Sequence, residues 1–149
     1  MRAAPQAVLV AVTDPPDPLA DVARKIAGYD RVLSTGTLLN SLRIRVHLGA
    51  HFGVDPVNVE AQVIGNHGES QVLLWSSAHI AGVPLARPLQ ERRESLADLR
   101  AKVENDVRCA NTTIIEDHDA SQYGIGIVSA RIAEMVLRDE RSPILIGSY

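Results

Sequence analysis

The residues with the greatest capacity for chemistry lie in the run Ile64 to Ser70, IGNHGES, where His67 stands between glycines directly after an apolar run. Glycines on both sides let the backbone turn tightly and leave the imidazole reachable. An imidazole that titrates near neutrality is a natural proton donor and acceptor for alcohol and ketone chemistry. The plainer alternative is a turn histidine with no task, and the local pattern taken alone favours it. A second constellation lies in TLLNSLRIRVH, where Asn40, Arg43 and His47 fall at i, i+3 and i+7 and so share one face of a helix. Arg43 suits a substrate carboxylate, because a planar guanidinium offers two parallel donors that fix orientation as well as adding energy. An arginine on a solvated polar face is the alternative.

Three weaker signals carry less. His47 and His51 are one helical turn apart, but no third ligand accompanies them and HLGAH lacks the glutamate of the zinc-protease motif, so no metal site is expected. GIGIVS, Gly124 to Ser129, begins like a dinucleotide fingerprint, yet no strand precedes it and its third glycine is absent; helix packing explains it better. The single cysteine, Cys109, lies within a helical pattern with no neighbouring histidine and reads as a partly buried thiol rather than a nucleophile.

The elements that must position these groups follow from the apolar pattern. Ala7 to Val12, AVLVAV, is a continuous aliphatic run, which predicts a strand of a parallel sheet buried on both faces. TDPPDP then offers Asp17 as a cap and Pro18 as the first helical residue, with Leu19, Val22, Ala23 and Ile26 at helical spacing and Gly28 closing the helix. A second short strand at Arg31 to Ser34 completes a βαβ unit, one crossover of a doubly wound sheet. Thr37 is the expected N-cap of a longer helix that ends near Gly53, with Leu38, Leu39, Leu42 and Val46 on its apolar side. Val59 to Ile64 and Val72 to Ile80 read as a hairpin around GNHGES. Glu91 to about Asp117 reads as one long helix with Leu96, Leu99, Val103, Val107, Ala110 and Ile114 in phase, Gly124 to Arg138 as another, and Ile144 to Ile146 as a short strand.

Composition narrows the function classes. The chain has 149 residues, 46% of them hydrophobic, which is one domain's length and enough to bury a core built almost wholly from aliphatic side chains, since aromatics are only 3%. A net charge of −3 provides no basic stripe for phosphate neutralisation, so no nucleic-acid partner is expected. No apolar run approaches the roughly 20 residues of a spanning helix, and Asp14, Pro15 and Pro16 interrupt the N-terminal apolar run without a secretory pattern. No membrane association is expected, and the lone cysteine fits a reducing, cytoplasmic setting.

Taken in order, VAVTDPPDPLADVARKIAG, VLSTGTLLNSLRIRVHLGAHFGV, VIGNHGESQVLLWSSAHIAGVPL and QYGIGIVSARIAEMVLRDERSPIL resemble the L-lactate/malate dehydrogenase family over essentially the whole chain, with WSSA and GVPL more similar to its bacterial lactate dehydrogenases. The resemblance implies an α/β fold. Residues 1–36 would be a remnant of the dinucleotide-binding domain, the last crossover of a Rossmann-type parallel sheet, and 37–149 a truncated lactate/malate dehydrogenase C-terminal-like α+β substrate domain. It implies an NAD-dependent oxidoreductase that interconverts L-lactate and pyruvate by hydride transfer. By the same resemblance His67 is the catalytic acid/base, Arg43 binds the substrate carboxylate, Ser121 lines the substrate pocket and Asp14 contacts the cofactor.

Two substitutions depart from the family pattern. Asn40 stands where the family has the aspartate that orients the histidine; an amide can accept the ring N–H but brings no charge to hold imidazolium. In the analogous Ser-His-Asp arrangement an Asp-to-Asn change lowers turnover by about 10⁴. Asp14 stands where the family commonly has asparagine, and a carboxylate beside a substrate carboxylate costs energy. The family's N-terminal glycine-rich fingerprint and its C-terminal strands have no counterpart in these residues. The alternative to an enzyme is therefore a catalytically inactive or partner-dependent substrate-domain fragment acting as an oligomerising or interaction module. The implied partners are a small 2-hydroxy or 2-keto acid, a second copy of the chain in a homo-oligomer, and a complementing N-terminal chain.

Overall fold

The aliphatic run near the N-terminus forms β1 (Leu9–Ala11), which pairs in parallel with β2 (Val32–Ser34), Leu9 opposite Val32 and Ala11 opposite Ser34. A computed structural model describes residues 3–67, 70–118 and 122–147. The strands are joined by α1 (Pro16–Ala27), so the expected βαβ crossover is present. Its burial differs from the expectation. Val32 and Ser34 are buried, but Leu9 and Val12 are 37% and 46% exposed, because among the described residues β1 has β2 as its only neighbouring strand.

The start of α1 also differs. Pro15 takes the N-cap position and Pro16 the first turn, where the fixed φ of proline already suits a helix, so Asp17 lies inside the helix rather than capping it. Its carboxylate is buried and accepts the Ser34 hydroxyl. Gly28 closes the helix as expected, in the left-handed region at φ 56°.

The second helix, α2 (Leu38–Phe52), ends at Gly53, also left-handed. Thr37 stands at its N-cap, but its hydroxyl donates to the Val63 carbonyl instead of capping the helix. The helix carries two apolar stripes. Ile44, Leu48 and Phe52 enter the main core, whereas Leu39 and Leu42 are half-buried and Val46 is exposed. The stripe named from the sequence is thus the outer one, which borders a cleft against the last helix.

A 3-10 turn (Pro56–Asn58) leads into β3 (Val59–Glu60), β4 (Val63–Ile64), β5 (Val72–Leu73), β6 (His79–Ile80) and β7 (Val83–Pro84). The expected hairpin around GNHGES holds at β4 and β5, with Val63 opposite Leu73. Its outer halves do not continue that ladder. A second 3-10 turn (Trp75–Ser77) redirects the chain, so β3, β6 and β7 form a separate antiparallel sheet. The Trp75 indole anchors this turn by donating to Glu104 Oε1 at 2.8 Å.

The long helix expected from Glu91 is two helices, α3 (Ala86–Arg92) and α4 (Leu96–His118), separated where Arg93 adopts φ 57°. Leu99, Val103 and Val107 of α4 face the core as their spacing predicts, joining Ile44, Leu48, Val63, Leu73 and Trp75 in one cluster. The last helix, α5 (Tyr123–Leu137), lies where expected. Gly124 there meets Leu39 of α2, with space for a Cβ limited to 3.0 Å, which supports the helix-packing reading of GIGIVS. Ile144 to Ile146 is not a strand; the segment is held by Ser34 N–H donating to the Gly147 carbonyl at 2.9 Å. Cys109 is exposed rather than partly buried. Among the described residues no helix is long and apolar enough to cross a membrane.

Candidate active site

The site is built where the first turn of α2 meets the β4–β5 hairpin. Ser41 fastens the two: its hydroxyl accepts the Val63 N–H at 3.0 Å and donates to the Thr37 carbonyl at 3.0 Å, while Thr37 donates to the Val63 carbonyl. These buried bonds set the register of α2 against β4, so Asn40, one residue before Ser41, faces the loop that carries His67. At the start of that loop Gly65 has φ 90°, and a Cβ there would lie 2.9 Å from the Ser70 carbonyl, so the tight return needs glycine.

The structure brings Asn40, Arg43, His67 and Asp14 together. His67 Nδ1 lies 3.3 Å from Asn40 Nδ2, and His67 Nε2 lies 3.6 Å from Asp14 Oδ1. Arg43 Nη1 donates to Asn40 Oδ1 at 3.1 Å. The His67 side chain is 15% exposed and that of Asp14 69%, so the imidazole sits in a recess with the carboxylate at its mouth. Burial pulls the Arg43 pKa down, and the Asp14 charge works in the opposite direction. The guanidinium nevertheless stays a cation at any ordinary pH.

Asn40 does not behave as expected. Its oxygen is taken by Arg43, a group with donors only, so the amide nitrogen is what faces the ring and the amide donates to Nδ1 instead of accepting from it. The nitrogen also donates to Gln71 Oε1, and Gln71 is buried. Sequence reasoning missed Gln71. The signal was the strand alternation, which puts Gln71 and Leu73 on the same inward face, an unusual place for an amide.

His47 does not join the site. It shares the face of Asn40 and Arg43 but lies four residues beyond Arg43, about 6 Å farther along the axis. There its Nδ1 lies 3.7 Å from Asp106 Oδ2 of α4. His51 pairs with Glu94 at 2.5 Å. Among the described residues no group of three or more His, Cys, Asp and Glu side chains could hold a metal ion. Ser121 lies outside the described residues.

The dinucleotide implied by the sequence finds a poor fit in the described residues. In an open parallel sheet its phosphates belong at a helix N-terminus beyond the carboxyl end of a strand, where backbone N–H groups point at them. The segment that leads into and opens the helix after β1 is Asp14-Pro15-Pro16-Asp17-Pro18, in which three residues have no N–H and two carry carboxylates. The β1–β2 unit therefore does not hold a pyrophosphate.

Comparison with known proteins gives one consistent result. The family model for the lactate/malate dehydrogenase α/β C-terminal domain matches residues 37–148. The chain is 42% identical over 148 residues to L-lactate dehydrogenase of Deinococcus radiodurans, covering 99% of this chain and 49% of that protein. It is 40% identical over 152 residues to L-lactate dehydrogenase of Thermus aquaticus, again covering 49% of the relative. A solved lactate dehydrogenase from a Medee basin deep-sea metagenome library superposes with a TM-score of 0.90 at 32% identity, covering 96% of this chain and 46% of that one. The chain thus spans about half the length of the relatives it matches. Over that span, the crossover, the histidine hairpin and the helices that frame them show that this chain belongs to the lactate/malate dehydrogenase family.

Proposed function

We propose that this chain is the substrate-side part of an NAD-dependent L-lactate dehydrogenase, the whole reaction being the interconversion of L-lactate and pyruvate. The observation that carries this reading is the convergence of Arg43, Asn40 and His67 in one recess. Arg43 binds the substrate carboxylate through its paired donors. That leaves the C2 oxygen to face His67 Nε2, the ring atom not engaged by Asn40. The imidazolium form gives its Nε2 proton to that oxygen when the ketone is reduced, and the neutral ring takes one there, with Nε2 bare, when the alcohol is oxidised. Asp14, at the mouth of the recess, adds a negative charge on the side from which the substrate enters.

Because the β1–β2 unit does not suit a pyrophosphate, the phosphates of the dinucleotide are held outside it, in a longer chain or in a complementing one, and Asp14 remains the residue proposed to contact the cofactor. A homo-oligomer is part of the proposal. The outer stripe of α2 and the exposed face of α5 border an apolar cleft of about 640 Å³ lined by Leu39, Leu42, Val46, Tyr123 and Ile127, surface of the kind that associates. A second reading, an inactive interaction module, is favoured by the Asn40 amide, which offers no charge to stabilise imidazolium.

The test is NADH oxidation with pyruvate, run on the chain alone and with a separately expressed dinucleotide-binding half of a relative. Turnover that is abolished by His67→Gln supports the proposal. Turnover only in the mixture assigns the partner-dependent form. A folded chain that is silent in both assigns the inactive module.

A further inference from the structure

We infer that Asn40 holds the neutral His67 ring as the Nε2–H tautomer, with that proton directed at Asp14, the reverse of the tautomer an aspartate at position 40 would select. The inference concerns the proposed active site, but its evidence is a hydrogen-bond chain whose direction does not depend on turnover.

The chain has one end that can be read without ambiguity. Arg43 has donors only, so the Asn40 atom that it meets at 3.1 Å is the carbonyl oxygen. The other amide atom is then the nitrogen, whose two hydrogens go to Gln71 Oε1 and to His67 Nδ1. Turning the amide over would set an NH₂ against a guanidinium and lose the Arg43 bond. A ring nitrogen that accepts carries no hydrogen, so the proton of the neutral imidazole is on Nε2. The group facing Nε2 is the Asp14 carboxylate, at 3.6 Å, longer than a direct hydrogen bond.

The two substitutions that separate this chain from the family pattern thus act on opposite sides of one ring. Asn40 donates where a carboxylate would accept, and Asp14 offers the carboxylate at the other nitrogen. Asn40 is a positioning residue, acting through His67. The arrangement has a consequence for the direction of chemistry. An Nε2–H ring can donate a hydrogen bond to a C2 carbonyl, but it cannot take the hydroxyl proton of a 2-hydroxy acid until that hydrogen leaves.

Tautomers are read directly from long-range ¹H–¹⁵N correlations of ¹⁵N-histidine in the full chain, at about pH 8.5, some two units above the usual imidazole pKa of ~6.5. The His67 signals are assigned by their absence in His67→Gln. The expected wild-type pattern is a protonated Nε2 and an unprotonated Nδ1, switching to a protonated Nδ1 in Asn40→Asp. A protonated Nδ1 in the wild type, or the same pattern in both proteins, overturns the inference. Asp14→Asn, a change at an exposed side chain, keeps the tautomer and shifts the Nε2 resonance; an unmoved Nε2 resonance overturns the part assigned to Asp14. Neither readout requires turnover, so an inactive but folded chain still decides it.

Discussion

At position 40 a single atom decides how the imidazole beside it can be used. An aspartate there would accept Nδ1–H and offset the charge of imidazolium; the asparagine donates to Nδ1 because Arg43 occupies its oxygen. The imidazolium form would put Nδ1–H against the Asn40 NH₂, two donors facing each other. Asn40→Asp is therefore expected to raise turnover, by about 10²–10⁴ on the scale of the Ser-His-Asp comparison. Steady-state kcat with pyruvate checks it, in whichever form of the protein turns over. Arg43→Gln is expected to act differently. It removes a charged hydrogen bond to the substrate carboxylate, worth about 1.5–3 kcal/mol, and so weakens binding roughly 10- to 150-fold. The same change frees the Asn40 oxygen, so His67 Nδ1–H becomes acceptable in that variant. Helical spacing put Asn40 and Arg43 on one face, whereas Asp14 and the role given to His67 came only from the family resemblance. The direction of the Asn40 bond was not legible in the sequence, since it depends on which side chain reaches the oxygen first.

Among the elements, the α2–β4 junction bears the placement of the site. Ser41→Ala leaves the buried Val63 N–H without its partner and is expected to cost about 1–3 kcal/mol, measured by denaturant unfolding. Gly65→Ala is expected to be costlier to the site than to the core. It puts a Cβ against the Ser70 carbonyl at a φ of 90°, so the loop must move and the His67–Asn40 contact goes with it. Loss of the tautomer signal with the core transition retained checks that. At the end of α5, Arg131 donates to both Glu140 oxygens, at 3.0 and 2.6 Å, which draws the Glu140 pKa below its ordinary value. A carboxylate with a depressed folded pKa stabilises above its unfolded pKa and loses that contribution as pH falls through the folded one. Glu140→Gln should therefore flatten the fall in Tm between about pH 5 and pH 3, by a small amount because the pair is exposed. The sequence made α1 and α2 legible through periodicity and closing glycines, and α5 through periodicity. It did not show the break between α3 and α4, because Arg93 carries no residue-type signal for its left-handed conformation. Nor did it show the split of the hairpin into two sheets, since the Trp75–Ser77 turn is anchored to the distant Glu104.

For the whole molecule, the fold class followed from the order of the motifs, while the distribution of burial did not. A continuous apolar strand implied cover on both faces, yet β1 stays partly exposed, as does the apolar cleft between α2 and α5. Leu9, Val12, Val46, Tyr123 and Ile127 are solvent-facing apolar groups that association would cover. The chain is accordingly expected to sediment as a dimer or larger. Ile127→Asp, which puts a charge into the cleft that Arg43 also lines, should shift it toward monomer. An unchanged sedimentation coefficient would place the contact elsewhere.

Whether the recess at Arg43 and His67 takes a 2-keto acid is decided by titrating the ¹⁵N-labelled chain with oxamate, a pyruvate mimic. Saturable shifts of the His67 ring and Arg43 guanidinium resonances are expected, with affinity reduced at least tenfold in Arg43→Gln. Absence of saturable shifts in a folded chain, or equal binding by Arg43→Gln, would contradict a 2-keto acid site there.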